Sequence, residues 1–370
     1  MIPRLLAFVP AALFVAGTAA AEVHESEQAD FRLVELADGL DSPWGLAVLP
    51  GGGVLITEQG GDLRLYRDGE VSDPISGIPD AEERGQGGLL DVVLDPDYAE
   101  TGWIYLSLAG RGEGGLGTQV WRGRLQDGGW TDSELLFDMQ RKTSAGHHFG
   151  SRFAFDDDGR LYFSIGDRGV IERSQDPTDE AGRIHRIERD GTVPSDNPFL
   201  DEAGTPPTAY TRGNRNPQGM ATHPDTGLIW IHEHGPRGGD EVNVIRAGSN
   251  YGWPEVTHGI DYSGAIISER QSAPGFVDPV HVWVPSIAPS GMAFYSGAAF
   301  PEWQGDLLIG ALRSQMLVRL ELDGEQVIGE ERLLEREVGR IRDVRVGPDG
   351  FVYLLTDSSN GRLLRLEPTS

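Results

Sequence analysis

One pattern recurs along this chain and limits what the chain can fold into. In each copy an alternating apolar run leads into a turn of Gly, Asp or Pro, and a second run rich in Leu, Ile, Tyr and Val follows. Alternation with a period of two is typical of β-strands, and the Asp-Pro, Asp-Gly and Gly-Gly steps are turn signals. The copies begin at Gly45, Asp91, Phe153, Gly219, Gly291 and Asp343.

Six copies of a small antiparallel sheet predict an all-β fold, a six-bladed β-propeller with four-stranded antiparallel blades. The alternative is a pair of β-sandwiches. Residues 31–36 form a further strand that we expect to pair into the last blade and close the ring. The copies are unevenly spaced, which predicts long loops, above all between the third and fifth copies. Loops at one end of a rigid scaffold are the expected place for chemistry.

The first residues have the features of a secretory signal peptide, which we predict to span residues 1–21. Arg4 precedes an apolar run at 5–15, and small residues lead to an Ala-rich cleavage site before Glu22. The apolar run is too short to span a bilayer, so no membrane insertion is expected. Residues 22–370 are predicted to form a single propeller domain, exported to the periplasm or secreted.

The composition excludes several kinds of site. The chain has no cysteine, which excludes disulfides, thiolate catalysis, Cys-ligated zinc and iron–sulfur clusters. It has 58 acidic and 31 basic residues, a net charge of −27, so its surface is expected to repel nucleic acid and anionic membranes. A cluster of arginines in so acidic a chain therefore requires an explanation. The sequence leaves open whether the protein is a monomer or a dimer.

Two adjacent histidines, His147 and His148, follow a glycine in the stretch SAGHHFGSR. In extended backbone, adjacent side chains point to opposite faces, so at most one of the two is expected to face a given pocket. That arrangement argues against a shared metal ion. A single imidazole in a Gly-flanked loop is better suited to accept a proton, since histidine titrates near neutral pH. The alternative is a surface loop with two solvated histidines.

Two other motifs are weaker. Residues 112–117, GEGGLG, match a dinucleotide-binding pattern, but they lie between two strand-like runs and are predicted to form a hairpin tip. In the stretch HEHG, His232 and His234 share one face of a strand, at a spacing that occurs in zinc sites. Since the sequence offers no obvious third ligand, the prediction is an exposed polar strand end.

The stretch GPRGGDE, residues 235–241, has the composition of a calcium site. Its glycines and proline leave backbone carbonyls free, and Asp240 and Glu241 supply carboxylates. Carbonyl and carboxylate oxygens are the ligands that Ca²⁺ prefers. A solvated acidic turn is the alternative.

Several arginines occupy similar junctions between the copies. Guanidinium groups bind carboxylates through paired hydrogen bonds, so such a cluster indicates a small polyanionic ligand. Ion pairs with neighbouring Asp or Glu side chains are the alternative. The arginines concerned are Arg212, Arg215, Arg313, Arg340 and Arg342.

Several longer stretches together resemble the soluble aldose sugar dehydrogenases of the glucose/sorbosone dehydrogenase family. They include GQGGLLDVVLDPDY, HHFGSRFAF, IGDRG, GNRNPQGMA, EHGPRGGDEVN and WVPSIAPSGMAFY, in the order typical of the family. The resemblance covers residues 31–366. Members of this family are six-bladed propellers that use pyrroloquinoline quinone (PQQ), so the resemblance implies the same fold as the repeats.

The resemblance also implies roles for individual residues. His148 matches the general base, which takes a proton from the anomeric hydroxyl of an aldose while hydride leaves that carbon for the quinone. The backbone carbonyls of Gly235 and Pro236 match ligands of a Ca²⁺ ion beside the quinone. Glu241 and Tyr251 match a second, structural Ca²⁺. The positions that match PQQ contacts are Gln86, Arg215, Asn216, Tyr262, Arg313, Arg340 and Arg342.

Two residues depart from the better-known glucose-oxidising members. Arg313 replaces a lysine, and His147 replaces an aspartate beside the base, where a carboxylate would orient the imidazole. These departures leave the preferred aldose open, and the electron acceptor is unknown.

Two other functions are compatible with the fold. A Ca²⁺-dependent lactonase or esterase on a six-bladed propeller would not need Arg313, Arg340 and Arg342 together. A non-catalytic binding propeller would be expected to lose His148 or these arginines.

Overall fold

The computed structural model describes residues 22–369, which form six antiparallel sheets. The predicted signal peptide, residues 1–21, lies outside the described residues. Helix is scarce in the described part of the chain, which has the four-residue helix α1 (Tyr98–Thr101) and two 3₁₀ turns, Ile171–Ser174 and Pro301–Trp303. None of the helices within 22–369 is long and apolar enough to cross a membrane.

The strands follow the chain blade by blade. Two strands precede the first blade: β1 (Val23–His24) and β2 (Phe31–Leu40). Blade 1 contains β3 (Pro43–Val48), β4 (Val54–Glu58), β5 (Leu63–Arg67) and β6 (Glu70–Val71). Blade 2 contains β7 (Leu89–Leu94), β8 (Ile104–Gly112), β9 (Gly115–Gln126) and β10 (Gly129–Asp138). Blade 3 contains β11 (Phe153–Phe155), β12 (Leu161–Ile165) and β13 (Arg183–Ile187).

The second half of the ring continues in the same way. Blade 4 contains β14 (Pro217–Thr222), β15 (Ile229–Glu233), β16 (Asp240–Val244) and β17 (His281–Trp283). Blade 5 contains β18 (Pro289–Phe294), β19 (Leu307–Ala311), β20 (Met316–Asp323) and β21 (Gln326–Leu333). Blade 6 contains β22 (Ile341–Val346), β23 (Val352–Thr356) and β24 (Gly361–Pro368).

The predicted six-bladed propeller is confirmed, with strand numbers that vary around the ring. Four blades have four strands. Blade 3 has three, extended by a bridge between His185 and Ala209. Blade 6 has five, because β2 pairs with β24 and β1 pairs with β2. The N-terminal strand therefore closes the ring as predicted, and it covers an edge of β24 that would otherwise be open.

The apolar core lies between the blades. Six clusters of buried side chains each draw residues from two neighbouring blades, including blades 6 and 1. The innermost strands β3, β7, β11, β14, β18 and β22 contact one another in that order, and β22 contacts β3. Because both faces of a blade are covered, inner strands such as β4, β12 and β19 are buried at every position. This burial differs from the half-buried strands that simple alternation predicts.

Four charged side chains on or next to the innermost strands meet and form what we call the axial cluster: Asp91, Arg152, Asp343 and Arg345. Arg152 contacts Asp343 at 2.8 Å and Asp91 at 3.3 Å, and Arg345 contacts Asp91 at 2.7 Å. The Arg152 guanidinium also stacks on the Trp44 ring, 4.0 Å from its centre. Two carboxylates and two guanidinium groups balance, so the cluster holds three blades together without net charge.

The longest loops lie where the uneven repeats predict them. Residues 188–216 connect β13 to β14, and residues 245–280 connect β16 to β17. The GEGGLG stretch is the tip of the β8–β9 hairpin, as predicted.

Candidate active site

The histidine loop adopts a conformation that the sequence analysis did not foresee. His147 and His148 line the same cavity of about 370 Å³, and their ring centres lie 4.9 Å apart. The expectation that they face opposite sides is therefore wrong. It assumed extended backbone, whereas His148 has a φ of 57°, in the left-handed region that non-glycine residues rarely adopt. The alternative of two solvated histidines fails for His148, whose side chain is only 13% exposed.

Neighbouring side chains hold this unusual backbone in place. Arg168 donates hydrogen bonds to the carbonyl oxygens of Ala145, at 2.9 Å, and of His147. Its guanidinium stacks on Phe149, 3.5 Å from the ring centre, and forms no ion pair within residues 22–369. Burial, together with the nearby charge of Arg173, lowers the pKa of Arg168 to about 9. The Gln86 side-chain oxygen accepts a hydrogen bond from the His148 backbone N–H at 2.8 Å.

Asp167 orients the His148 ring. Its Oδ1 lies 2.6 Å from His148 Nδ1 and accepts a hydrogen bond from the Gly169 N–H at 2.7 Å. Its Oδ2 accepts a hydrogen bond from Trp253 Nε1 at 2.9 Å. Burial would raise the pKa of Asp167, but the hydrogen bond from His148 and the charges of His148 and Arg215 hold it below its ordinary value. Asp167 is therefore a carboxylate, and the ring proton resides on Nδ1.

The pKa of His148 is lowered to about 4, mainly by burial and also by the charge of Arg215, against the opposing effect of Asp167. The imidazole is thus neutral at neutral pH. Its Nε2 makes no hydrogen bond within residues 22–369 and has a free lone pair on the side of the cavity. Sequence reasoning missed Asp167, although the motif IGDRG contains it. The orienting carboxylate that His147 cannot supply comes instead from this second loop.

Arg215 lies beside the histidine in the same cavity. Its Nη1 donates to the carbonyl oxygens of His234, at 2.9 Å, and Gly235, at 3.3 Å, and its buried Nε has no hydrogen-bond partner in the described structure. Pro236 and the exposed side chain of Tyr262 also line the cavity. Gln86, His148, Arg215, Pro236 and Tyr262 thus all line this cavity, whereas Gly235 does not.

Asn216 sits beneath the site instead of lining it. Its side chain is buried, and its Oδ1 accepts hydrogen bonds from the Gly150 N–H at 3.3 Å and from Gln218 Nε2 at 3.4 Å. It therefore supports the histidine loop from below.

A second cavity, of about 400 Å³, adjoins the first because Gln86 lines both. Arg340 and Arg342 line it and share one carboxylate: Arg340 Nε lies 2.6 Å and Arg342 Nη2 lies 2.9 Å from Asp357. The alternative of ion pairs with neighbouring carboxylates therefore holds for Arg212, which pairs with Glu202 at 2.6 Å, and only partly for Arg340 and Arg342, which share one anion. Arg313 is exposed, its side chain forms no hydrogen bond or ion pair in the part described, and its neighbour Leu312 lines the cavity.

Asp240, which the sequence offered as a calcium ligand, is fully engaged within the protein. It is buried, and its carboxylate accepts hydrogen bonds from the Gly235 N–H at 2.9 Å, Ser286 Oγ at 2.7 Å and the Ile287 N–H at 2.8 Å. It therefore fixes the turn at residues 235–240, and the interpretation of this stretch as a solvated acidic turn is wrong for Asp240.

Glu241 lies in a small cavity of about 10 Å³, together with Glu233, Gly235 and Tyr251; Arg215 and Trp253 line both this cavity and the first one. Burial raises the pKa values of both glutamates, and the charge of Glu233 raises that of Glu241 further. Nearby, Asn243 Oδ1 is buried without a hydrogen-bond partner. The Tyr251 hydroxyl is occupied, because it donates to the Val244 carbonyl at 2.7 Å and accepts from the Arg246 N–H.

We call this pocket the acidic pocket. Glu241 and the unpartnered amide oxygen of Asn243 fit a cation by their chemistry, whereas both oxygens of Glu233 accept hydrogen bonds, from Asn214 Nδ2 and the Arg215 N–H. No cluster of three or more acidic or histidine side chains capable of holding a metal occurs within 22–369, so backbone and amide oxygens would have to complete the ligand set. Sequence reasoning missed Glu233.

The prediction of an exposed strand end at HEHG is wrong. His232 is completely buried on β15, and a Cβ added at Gly219 would lie only 2.0 Å from its Nε2. His234 Nε2 lies 2.5 Å from the Pro289 carbonyl oxygen. Because β15 is an inner strand covered on both faces, His232 is a packed structural group, whereas His234 lies just beyond β15 and lines both the second cavity and the acidic pocket.

The chain is similar in sequence to known proteins along most of its length. The family model described as Glucose / Sorbosone dehydrogenase matches residues 40–365. Aldose sugar dehydrogenase YliI of Escherichia coli (strain K12) is 46% identical over 340 residues, which cover 90% of this chain and 92% of the relative. Quinoprotein glucose dehydrogenase B of Acinetobacter calcoaceticus is 26% identical over 422 residues, covering 90% of this chain and 87% of the relative.

Solved structures agree with this assignment. The apo-form of the soluble aldose sugar dehydrogenase from Escherichia coli superposes with a TM-score of 0.89 at 44% identity, covering 91% of this chain and 99% of that one. The PQQ-bound form of aldose sugar dehydrogenase from Streptomyces coelicolor gives 0.75 at 29% identity, covering 92% and 99%. The chain therefore belongs to the glucose/sorbosone dehydrogenase family.

Proposed function

We propose that this protein is an aldose sugar dehydrogenase that oxidises its substrate at the anomeric carbon to a lactone, with PQQ as hydride acceptor and Ca²⁺ bound nearby. The observation that carries the proposal is the geometry of His148. A neutral imidazole has its Nδ1 held by Asp167 and its Nε2 free beside a cavity of about 370 Å³. This is the arrangement that a general base requires.

In the proposed reaction, His148 Nε2 accepts the proton of the anomeric hydroxyl as the hydride leaves that carbon. The resulting imidazolium is stabilised by Asp167, whose carboxylate stays ionised. Because the pKa of His148 is about 4 in the free protein, the base is ready at neutral pH without first losing a proton. His147 and Tyr262 line the same cavity and are placed to bind the sugar.

The residues present fit PQQ, whose carboxylates are suited to arginines. Two adjoining cavities share Gln86, and Arg340 and Arg342 outnumber their single partner Asp357. The buried, unpartnered Nε of Arg215 offers a further donor. When bound, PQQ supplies the two-electron acceptor that none of the twenty side chains provides. The residues that would hold it are Gln86, Arg215, Tyr262, Arg313, Arg340 and Arg342, with Asn216 supporting the loop beneath.

The carbonyl oxygens of Gly235 and Pro236 are the proposed ligands of a Ca²⁺ ion next to the cofactor, where the ion would supply positive charge. The acidic pocket of Glu233 and Glu241, with the Tyr251 backbone carbonyl, is the proposed site of a second, structural Ca²⁺. We further propose that residues 1–21 direct export, to the periplasm or outside the cell.

A Ca²⁺-dependent lactonase or esterase is less well supported. Such an enzyme needs Asn, Asp and Glu side chains that converge on a central ion, but in the axial cluster Asp91 and Asp343 are each paired with an arginine. A binding propeller without activity would not need the oriented imidazole of His148.

The proposal is tested by purifying residues 22–370, adding PQQ and Ca²⁺, and following dye reduction with a panel of aldoses. Reduction that requires an aldose, PQQ and Ca²⁺ together is expected, with loss of activity in EGTA and recovery on adding Ca²⁺. If the protein binds no PQQ by absorbance titration and reduces no dye with any aldose, the proposal is wrong.

A further inference from the structure

The carboxylate of Asp167 is held on both of its oxygens. Oδ1 accepts hydrogen bonds from His148 Nδ1 and the Gly169 N–H, and Oδ2 accepts one from Trp253 Nε1 at 2.9 Å. Trp253 and Asp167 are 6% and 1% exposed, so this hydrogen bond is buried. An anchored Oδ2 prevents the carboxylate from rotating away from the histidine.

Trp253 is itself fixed in direction. Its backbone N–H donates to the Gly213 carbonyl at 2.9 Å, and its carbonyl accepts from Gln175 Nε2 at 2.7 Å. Gln175 also exchanges hydrogen bonds with the side chain of Asn250, at 2.7 and 3.0 Å. The indole is flanked by the Arg215 guanidinium, 5.3 Å from the ring centre. The loop at 250–253 therefore presents the indole N–H to Asp167 from a rigid support.

We propose that Trp253 is a positioning residue for the reaction: its indole N–H fixes Asp167 so that His148 carries its proton on Nδ1 and offers Nε2 to the substrate. Without this donor, Asp167 Oδ2 is left buried without a partner. The carboxylate would rotate or recruit water to satisfy that oxygen, and its hold on Nδ1 would weaken. The inference rests on the proposed role of His148 as a base, but the Trp253–Asp167–His148 geometry exists independently of any cofactor.

An indole, a carboxylate and an imidazole are hydrogen-bonded to one another at a second place in the molecule, which provides an internal control. Trp283 Nε1 and His281 Nε2 each lie 3.0 Å from Glu330 Oε2, and Trp283 is 4% exposed. This second triad joins β17 to β21 and includes an additional ion pair, between Glu330 and Arg332 at 2.8 Å. None of its members lines either of the two adjoining cavities.

The test compares Trp253→Phe with Trp283→Phe, since each substitution removes one buried indole N–H from a carboxylate–histidine pair. In protein without PQQ or Ca²⁺, labelled with ¹⁵N-histidine, the tautomer ratio of His148 is read by NMR at neutral pH and assigned with His148→Gln. We expect Trp253→Phe to lower the ratio of Nδ1–H to Nε2–H tautomer by about tenfold, the size of a lost hydrogen bond to a charged group. Trp283→Phe should leave the His148 ratio unchanged.

Kinetics add a second readout with PQQ, Ca²⁺ and an active aldose. Trp253→Phe should lower kcat by about tenfold with little change in KM, and Trp283→Phe should change neither. An unchanged His148 tautomer in folded Trp253→Phe would overturn the proposal, whatever the activity. If wild-type protein lacks activity but Trp253→Phe still changes the tautomer, the proposed function fails while the positioning role stands.

A measurement that retains Trp253 covers the case in which Trp253→Phe does not fold. Asp167→Asn should shift one indole N–H resonance in the ¹⁵N spectrum, and Glu330→Gln should shift a different one. If Asp167→Asn shifts no indole resonance, the hydrogen bond is not formed in solution and the proposal is overturned.

Discussion

Two groups of buried charged side chains differ in how their charges are paired. In the axial cluster, Asp91 and Asp343 each have a guanidinium nitrogen within 2.8 Å, and two anions balance two cations. Around His148, the buried carboxylate of Asp167 contacts the imidazole, while the two nearby arginines, Arg168 and Arg215, form no ion pair among residues 22–369. Both groups are buried, but only the second contains guanidinium groups that are not paired with a carboxylate.

This difference separates charges that stabilise the fold from charges available for chemistry. Balanced pairs at the axis compensate one another for the loss of water. The groups around His148 are not compensated, and the pKa of the imidazole falls to about 4 while that of Arg168 falls to about 9, in both cases mainly through burial. Unpaired guanidinium groups suit an anionic cofactor, and burial keeps the histidine neutral, which are the two properties that the proposed reaction requires.

The largest expected effect is a loss of stability on breaking the axial cluster. Arg152→Met removes the cation shared by Asp91 and Asp343, and should lower the free energy of unfolding by about 3–5 kcal/mol because two buried carboxylates lose a partner. Denaturant unfolding measures this loss. The control is Arg332→Met, which breaks an exposed pair with Glu330 and should cost about 0–1 kcal/mol. Similar losses in both variants would contradict the structural role of the axial cluster.

The next largest expected effect is on turnover and not on stability. His148→Ala should reduce turnover by about 100-fold or more, as is usual for the loss of a general base, while PQQ affinity stays close to that of the wild type. Steady-state dye reduction and an absorbance titration measure the two quantities. His281→Ala removes the histidine of the second triad, formed with Trp283 and Glu330, and should leave turnover unchanged. Undiminished turnover in His148→Ala would remove this residue from the mechanism.

A third pair of variants tests the charges of the second cavity, where Arg340 and Arg342 share Asp357, and the two changes should act in opposite directions. Arg340→Ala combined with Arg342→Ala should weaken PQQ binding by about tenfold or more, with the largest loss at low salt. Asp357→Asn should strengthen binding, because it frees both guanidinium groups from their shared partner. Affinity unchanged in both variants would show that these arginines do not contact the cofactor.

The smallest expected effect is a change in the pH dependence of the unfolding free energy, and it tests the burial of His185. This histidine is fully buried between blades 2 and 3, and burial lowers its pKa from 6.5 to about 3. Because the unfolded chain binds the proton first, stability is complete above pH 6.5 and is lost as the pH falls towards 3. The contribution of this residue between pH 6.5 and 5.5 is about 1 kcal/mol.

His185→Gln should therefore show a shallower fall in unfolding free energy over that pH interval than the wild type. Urea unfolding at the two pH values measures the difference, with His281→Gln as the control. An identical pH dependence in wild type and His185→Gln would mean that His185 is not buried in the neutral form.

The fold could be predicted from the sequence because each blade is local. The six repeat starts coincide with the innermost strands β3, β7, β11, β14, β18 and β22. Even the closing strand was predictable, since Phe31–Leu40 has the alternation of a strand and no partner nearby in sequence. Burial was not predictable from alternation, because neighbouring blades cover both faces. For that reason His232 was misplaced at an exposed strand end.

The site was predictable only in part, because its key contacts join distant loops. His148 and Arg215 were identified by resemblance, but Asp167 and Trp253 are 86 residues apart and meet only in the folded ring. His147 and His148 face the same cavity because His148 has a positive φ, which no local sequence pattern predicts. Charge pairing at the axis depends likewise on strands from three blades.

The most direct test of the account is a single-turnover experiment with an active aldose that carries either hydrogen or deuterium at the anomeric carbon. Wild-type protein loaded with PQQ and Ca²⁺ is mixed with each sugar, and cofactor reduction is followed by absorbance. We expect slower reduction with the deuterated sugar in the wild type, and reduction at least about 100-fold slower in His148→Ala. Equal rates for the two sugars, together with a wild-type rate in His148→Ala, would contradict base-assisted hydride transfer at this site.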